Sequence, residues 1–410
     1  MIKGNCLVAQ SGGPTAVINA SLYGVVKEAF QNENINKVYG ALNGIEGLLK
    51  KDIIDFQAES LDELEYLKNT PASALGSCRY KLPTGAEGQA KFDEIFEIFE
   101  LYNIKYFFYI GGNDSMDTVY KLSEYAKSQA KEMVIIGVPK TIDNDLEGTD
   151  HCPGFGSAAK YLNTSIIEIW HDANIYTKNI VTIVEVMGRD TGWLAASTAV
   201  AAQYYPGAPD LIYLPESAFD FDQFKADVER IRAEKGKVLV VISEGIKDSQ
   251  GRYIADSEPT GDMFGHAQLG GVGYVLKEYV EKNIEKRAKL VVFDVLQRCA
   301  MHCASETDLL EAEQVGRLAV QEASLENTGK MVGMKRQSGL GYQIAYHMVP
   351  IEEAANHVKH VPAEWINEKG NFINEGALAY FEPLIVGERQ IPCENGLVRY
   401  AKLKYSKVVK

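Results

Sequence analysis

The sequence predicts an α/β protein built from two doubly wound, Rossmann-like αβα domains with a cleft between them. Three observations lead there. A chain of 410 residues is long enough for two domains. Short apolar runs rich in Val, Ile, Phe and Tyr recur along it, as expected of strands buried on both faces of a parallel sheet. Helical patterns fill the spaces between those runs.

The expected strands are residues 6–10, 106–110, 134–138, 180–187, 211–214, 238–243 and 290–293, each ending in glycine or polar residues. The expected helices are 15–31, 89–101, 115–128, 157–172, 192–203, 219–234, 273–289 and 306–325. No repeat or low-complexity linker interrupts the alternation. The stretch Cys152-Pro-Gly-Phe-Gly-Ser157 breaks the pattern before a long helix and marks the expected boundary. The expected division is 1–155, with 298–350 returning to it, and 156–297 together with 351–410.

Composition excludes several classes. Hydrophobic residues make up 46%, enough for a sizeable core and too many for a disordered chain. The net charge is -14, and no run of Lys or Arg provides a footprint for nucleic acid. A protein this acidic must gather positive charge locally if it is to handle phosphates. No apolar run reaches the roughly 18 residues that cross a bilayer, so no membrane partner is expected. The six cysteines are scattered, which points to reduced thiols rather than a disulfide framework. With no signal-peptide pattern at the N-terminus, the expected location is cytoplasmic. Cys299, His302 and Cys303 would share one face of a helix. Without a second ligand pair at metal spacing, they read as small packed side chains rather than a zinc site.

Ligands of doubly wound sheets bind beyond the carboxyl ends of the strands, so the residues just after each run carry the chemistry. Ser11-Gly-Gly-Pro-Thr15 follows the first. Its glycines let a phosphate approach the backbone beside a helix N-terminus, or simply make a tight turn. Gly111-Gly-Asn-Asp-Ser115 follows the second. Asn113 and Asp114 offer oxygen ligands for Mg²⁺, and Ser115 is a candidate helix cap. Pro139-Lys-Thr-Ile-Asp-Asn-Asp145 follows the third. There an aspartate can take a proton from a hydroxyl, and Lys140 can neutralise charge on a transferred phosphoryl group. The alternative is a surface ion pair of little energetic weight. Met187-Gly-Arg-Asp-Thr-Gly192 adds an arginine near a helix start, which suggests an anionic partner. Ser243-Glu-Gly245 adds a carboxylate that either accepts sugar hydroxyls or stays solvated. Together these turns describe a phosphotransferase acting with Mg²⁺ on a small polar substrate.

In family order and with fitting spacing, the motifs SGG (11–13), GSCRY (76–80), GGNDS (111–115), PKTIDND (139–145), MGR (187–189), SEG (243–245) and QR (297–298) resemble those of the 6-phosphofructokinase family. The match spans roughly residues 1–350. The resemblance implies that Asp143 is the base for the 1-hydroxyl of fructose 6-phosphate. It implies that Thr141, Ile142 and Asp145 lie along this substrate. Met187, Gly188 and Arg189 would bind it too, with Glu244 accepting its hydroxyls and Arg298 holding the 6-phosphate. Gly13 and Arg79 would face the phosphoryl donor. It also implies Mg²⁺, a homodimer or homotetramer, and a glycolytic step.

Members that use ATP read GGDGS and PGTIDND, whereas Asp114 and Lys140 stand at those glycines here. This resembles the diphosphate-dependent branch. A carboxylate at 114 fills the space of a nucleotide's α-phosphate and repels it, and Lys140 adds a fixed charge beside a short anionic donor. Asn113 replaces an aspartate that many members use toward Mg²⁺. Val295 replaces an aromatic residue or histidine, and Ile180 stands where ATP enzymes carry an arginine. The competing readings are an ATP-dependent enzyme of the same family and a non-catalytic sensor of sugar phosphates.

Overall fold

Every residue of β1 (Gly4–Gln10) is buried. Leu7 and Ala9 enter one apolar cluster while Cys6 and Val8 enter another, because successive side chains of a strand point to opposite faces. A strand covered on both sides belongs in the middle of a sheet layered between helices. The computed structural model describes residues 2–175, 177–255, 271–339 and 341–409, and it has this architecture twice.

The first sheet contains β1, β2 (Ile35–Ala41), β3 (Ile53–Asp55), β4 (Ile104–Gly111) and β5 (Val134–Pro139). The second contains β6 (Ile180–Val186), β7 (Leu211–Tyr213), β8 (Lys237–Ser243) and β9 (Ala288–Val292). The chain then returns to the first sheet with β10 (Lys330–Arg336) and β11 (Ile344–Pro350). The orders are β11-β10-β5-β4-β1-β2-β3 and β7-β8-β6-β9. Within these two sheets all ladders are parallel except those of β2 with β3 and β10 with β11, which close the two edges of the larger sheet. Each fully buried Leu, Ile or Phe in these layers contributes about 1.5–3 kcal/mol.

Parallel order brings the carboxyl ends of β1, β4 and β5 side by side. Gln10 pairs with Ile110, and Gly111 pairs with Pro139. In the smaller sheet, Val186 pairs with Ser243 and Glu185 with Val292. The glycine-bearing turns are therefore neighbours within each sheet.

Several local expectations change. The first helix spans Ile18–Gln31 and begins three residues later than expected, because Thr15 Oγ1 accepts from Val17 N and holds a turn there. The helix expected over 192–203 is two, Trp193–Ser197 and Ala199–Tyr204, separated at Thr198, whose hydroxyl donates back to Ala195 O at 2.6 Å. Ser115 caps nothing. The helix Asn113–Ser128 starts before it, with Gly112 as the cap residue. Cys299 and Cys303 do not share a helix, since Leu296–Cys299 ends and a 3₁₀ turn, Met301–Cys303, follows.

Residues 351–410 divide between the sheets instead of staying with the second. Trp365, Phe372, Tyr380 and Phe381 pack in the cluster beneath β6 and β8. Farther on, Asp55 N donates to Ser406 O and Val408 N to Ile53 O along β3. No helix among the described residues is long and apolar enough to cross a membrane.

Candidate active site

The turn after β1 is shaped by Gly12. Its φ of +76° lies in the region that favours glycine, and a Cβ there would sit 3.4 Å from Lys140 Nζ. Ser77 Oγ donates to Gly12 O at 2.6 Å and Gly12 N donates to Cys78 O at 3.2 Å. These bonds staple the GSCRY segment to the SGG turn and carry Arg79 to the same edge. Lys140 N donates to Gly111 O at 3.0 Å, which joins GGNDS to PKTIDND.

Lys140 is buried at 2% exposure, and its ammonium donates to Gly13 O at 2.5 Å. From the other sheet, Arg298 reaches the same place: a Cβ on Gly13 would lie 3.5 Å from Arg298 Nη1. The guanidinium expected at a distal sugar phosphate thus also faces the donor-side turn. The elements that follow the two sheets each bring a cation to one point.

The loop carrying Asp143 is held from every side. Thr141 N donates to Pro153 O at 3.1 Å, Asp143 N to Thr141 Oγ1 at 3.1 Å, and Thr191 Oγ1 to Asp143 O at 3.2 Å. Asn144 is fully buried with φ of +56°. Its amide donates to Tyr380 Oη at 2.8 Å and accepts from Cys152 N at 2.9 Å. Ile142 is buried in the apolar cluster with Phe155 and Trp193, so its side chain anchors the loop and only its backbone is left to line a ligand. Asp145 O accepts from Lys359 N at 2.9 Å, while Asp145 Oδ1 is buried without a hydrogen-bond partner among the described residues.

On the opposite wall, Met187 N donates to Gln297 Oε1 at 3.0 Å, which ties MGR to QR. Gly188 has φ of +138°, and a Cβ there would meet Ser243 Oγ and Thr191 O, each at 2.5 Å. Gly188 N donates to Glu244 Oε1 at 3.3 Å. Arg189 Nε and Arg298 Nε are buried and lack a hydrogen-bond partner among the described residues. Buried guanidinium donors are costly unless something accepts from them, and an anionic substrate would.

The electrostatics follow from burial. Burial pushes the Lys140 ammonium down to about 8 against the pull of Asp143 and Asp145. Burial raises the Asp143 carboxyl, with Lys140 and Arg189 opposing it. Asp145 is raised by burial and by the neighbouring charge of Asp143. Burial lifts Glu244 to about 7, partly offset by the Gly188 N–H. A buried carboxyl lifted this way is a better base than a solvated one.

Mg²⁺ takes oxygen ligands, which Asn113, Asp114, Asp143 and Asp145 carry. Asn113, expected as the contact, is turned elsewhere. Its Oδ1 accepts from Asn356 N at 2.7 Å and its amide donates to His357 O. Asp114 sits one residue on, in the first helical turn, with no side-chain hydrogen bond among the described residues. With the unpartnered Asp145 Oδ1 and the Asp143 carboxyl, it gives oxygen donors of the kind a hard cation takes. No group of three His, Cys, Asp or Glu side chains forms a ready metal cage among the described residues.

Sequence reasoning missed Glu216, Trp193, Tyr380 and Lys359. Glu216 accepts from Gly192 N at 2.9 Å and from Val361 N at 3.1 Å, fixing the turn that bears Arg189. It stands three residues past β7, so the rule of reading strand ends would have found it. Tyr380 and Lys359 come from a tail that carries no motif.

A family model described as Phosphofructokinase matches residues 5–323. The pyrophosphate–fructose 6-phosphate 1-phosphotransferase of Xanthomonas campestris is 43% identical, covering 100% of this chain and 98% of that protein. The protein of the same description from Halomonas elongata is 42% identical over the same shares. A crystal structure described as a pyrophosphate-dependent phosphofructokinase from Marinobacter aquaeolei superposes with a TM-score of 0.90 at 39% identity, covering 100% and 98% of the two chains. With nearly four-fifths of its length matched by the family model and a full-length relative above 40% identity, this chain belongs to the phosphofructokinase family.

Proposed function

We infer that the chain catalyses reversible phosphoryl transfer from diphosphate to the 1-hydroxyl of fructose 6-phosphate, giving fructose 1,6-bisphosphate and phosphate in glycolysis. One observation carries the choice of donor: a buried lysine, Lys140, stands three residues from Asp143 and bonds the carbonyl of Gly13. A lysine there supplies charge to a compact anion that has no nucleoside to anchor it. Relatives that cover the whole chain bear the matching description.

In this reading, the Asp143 carboxylate takes the proton from the 1-hydroxyl as O1 bonds to the nearer phosphorus of diphosphate. The bridging P–O bond breaks and phosphate leaves. Charge spreads over the transferred phosphoryl oxygens in the transition state. Lys140 and Arg298 stand where that charge develops, and fixed cations in a water-poor cleft stabilise it without reorganising. Gly13 and Arg79 bind the donor and Asp114 closes the space that an α-phosphate would need. Thr141, the backbone of Ile142, Asp145, Met187, Gly188, Arg189 and Glu244 hold the sugar phosphate. We assign the donor to the seven-stranded domain and the acceptor to the four-stranded one.

A divalent cation, Mg²⁺, would screen the diphosphate charge from the side of Asp114. The expected assembly is a homodimer or homotetramer. Val292, Val295 and Leu296, exposed beside Arg298 at the edge strand β9, are where a second copy would cover apolar surface. A cytoplasmic location suits six cysteines that all remain unpaired.

A coupled assay of the purified chain with diphosphate or ATP as donor tests the reading. Turnover with diphosphate and little with ATP is expected. Full turnover with ATP and none with diphosphate would overturn the choice of donor.

A further inference from the structure

Lys359 lies in the tail, beyond every motif of the site, yet it touches three parts of the cleft. Its backbone N–H donates to Asp145 O at 2.9 Å, two residues past Asp143. Its ammonium donates to Thr149 O at 3.0 Å and Asp150 O at 2.8 Å, the turn that leads out of the same loop. Its carbonyl accepts from Trp193 Nε1 at 2.8 Å, and the ammonium lies 5.2 Å from the centre of the Trp193 ring. Trp193 opens the helix directly after the MGRDTG turn.

The flanking residues extend the strap. Asn356 N and His357 O bond both ends of the Asn113 amide beyond β4, and Asn356 Nδ2 donates to Asp117 Oδ1 at 3.0 Å. Val361 N donates to Glu216, which also accepts from Gly192 N. Six residues thus run from the first turn of Asn113–Ser128, past the Asp143 loop, to the turn that bears Arg189. Fixing a lysine side chain costs about 1.5–2 kcal/mol of rotamer freedom, which its bonds to the two carbonyls offset. The two carbonyls belong to a loop that has no secondary structure of its own between β5 and the helix Phe155–Asn174.

We propose that Lys359 is a positioning residue of the transfer step, fixing the Asp143–Asp150 loop against the helix start at Trp193 so that base and sugar phosphate are aligned. The proposal rests on the phosphotransferase reading above and assigns it a determinant outside the family motifs. It also gives Asn113 a place, as the anchor of the strap rather than a metal ligand.

The test compares Lys359→Met and Lys359→Arg with the unaltered chain. Misplacement by about 1 Å costs on the order of 100-fold in rate, so kcat of Lys359→Met should fall about 10- to 100-fold while KM for fructose 6-phosphate moves within about threefold. Lys359→Arg keeps the charge and two donors and should recover most of the loss. Backbone amides of residues 145–152 should exchange hydrogen faster in Lys359→Met, with β1 and β4 unchanged. A kcat within twofold of the unaltered chain overturns the proposal, and so does equal impairment of both variants with a lowered melting temperature. Should Lys359→Met fail to fold, Trp193→Phe removes the indole N–H donated to Lys359 O together with part of a ring packed on Phe155 and Tyr380. Its kcat is therefore compared with that of Phe155→Leu, which loosens the same packing and leaves the bond to Lys359 in place. A several-fold loss of kcat relative to Phe155→Leu is then expected, and an equal kcat overturns the proposal. If the unaltered chain transfers nothing from diphosphate, the functional reading falls, and the exchange measurement still decides the positioning role.

Discussion

Lys140 and Gly13 meet at the floor of the cleft, the buried ammonium of one donating to the carbonyl of the other at 2.5 Å. The contact joins the end of β5 to the end of β1 across the intervening β4, and Arg298 approaches it from the second sheet. Charge in this place is useful only while it is held.

Burial sets Lys140 near 8, so its charged form predominates below that pH and is lost above it. The rate of phosphoryl transfer should therefore decline as pH rises through about 8. Lys140→Arg should move this basic limb upward by more than one pH unit, since arginine stays protonated throughout. A kcat profile from pH 6 to 10 checks this, and an unmoved limb would assign it to another group.

Donor choice should follow Asp114 and Lys140 jointly. Asp114→Gly with Lys140→Gly should lower kcat/KM for diphosphate by about 100-fold or more, the loss expected from removing one fixed charge at a transition state. The ratio of ATP to diphosphate turnover should rise. If the double variant keeps its donor preference, Asp114 serves only the start of its helix.

Asp143→Asn keeps the shape of the loop and removes its base. A fall in kcat of about 10²- to 10⁴-fold is expected. Calorimetry should find fructose 6-phosphate binding within about threefold of the unaltered chain, since the base acts in the transition state rather than in binding. A variant that retains a tenth of the activity would place the base elsewhere.

Glu244 accepts hydroxyls best as a carboxylate, and burial raises it to about 7. Its charged form is present above that pH and lost below it. KM for fructose 6-phosphate should rise as pH falls from 8 to 6. Glu244→Gln should show a raised KM with little slope over the same range.

Asn144 joins a left-handed backbone to two hydrogen bonds, a part-buried one with Tyr380 and a buried one with Cys152. Asn144→Ala strains the backbone and deletes both bonds, and should destabilise the fold by about 2–3 kcal/mol. Denaturant midpoints at constant slope would measure it. A change within about 0.5 kcal/mol would mean that the loop is held without Asn144, by Thr141, Thr191 and Lys359.

Much of the fold was legible because buried parallel strands write continuous apolar runs, and all seven expected strands occur within a residue or two of their limits. The strands that escaped notice, β2, β3, β10 and β11, lack that signature. β11 is only partly buried, and the buried run of β10 is just Met331, Val332, Gly333 and Met334, cut short by charged residues at both ends. The edge strands β3 and β11 need only half a pattern, and half a pattern resembles a loop, while β2 and β10 each bury a run of just four consecutive residues.

Local chemistry was where the sequence was most informative. The turn after each parallel strand must carry glycines, caps or charged groups suited to a ligand, and adjacent residues suffice to specify it. Lys140 and Glu244 became candidates on that ground, whereas Asp143 and Gly188 were singled out by the family resemblance. What only the tertiary structure decided is which distant residues those turns meet. Arg298 reaches toward Gly13, Asn113 turns away to the 356–357 loop, Ile142 sinks into the core, and Lys359 bonds Asp145 from 214 positions along the chain. Such contacts depend on strand order and on where a tail returns. A hydrogen bond between remote segments leaves no periodicity in either of them.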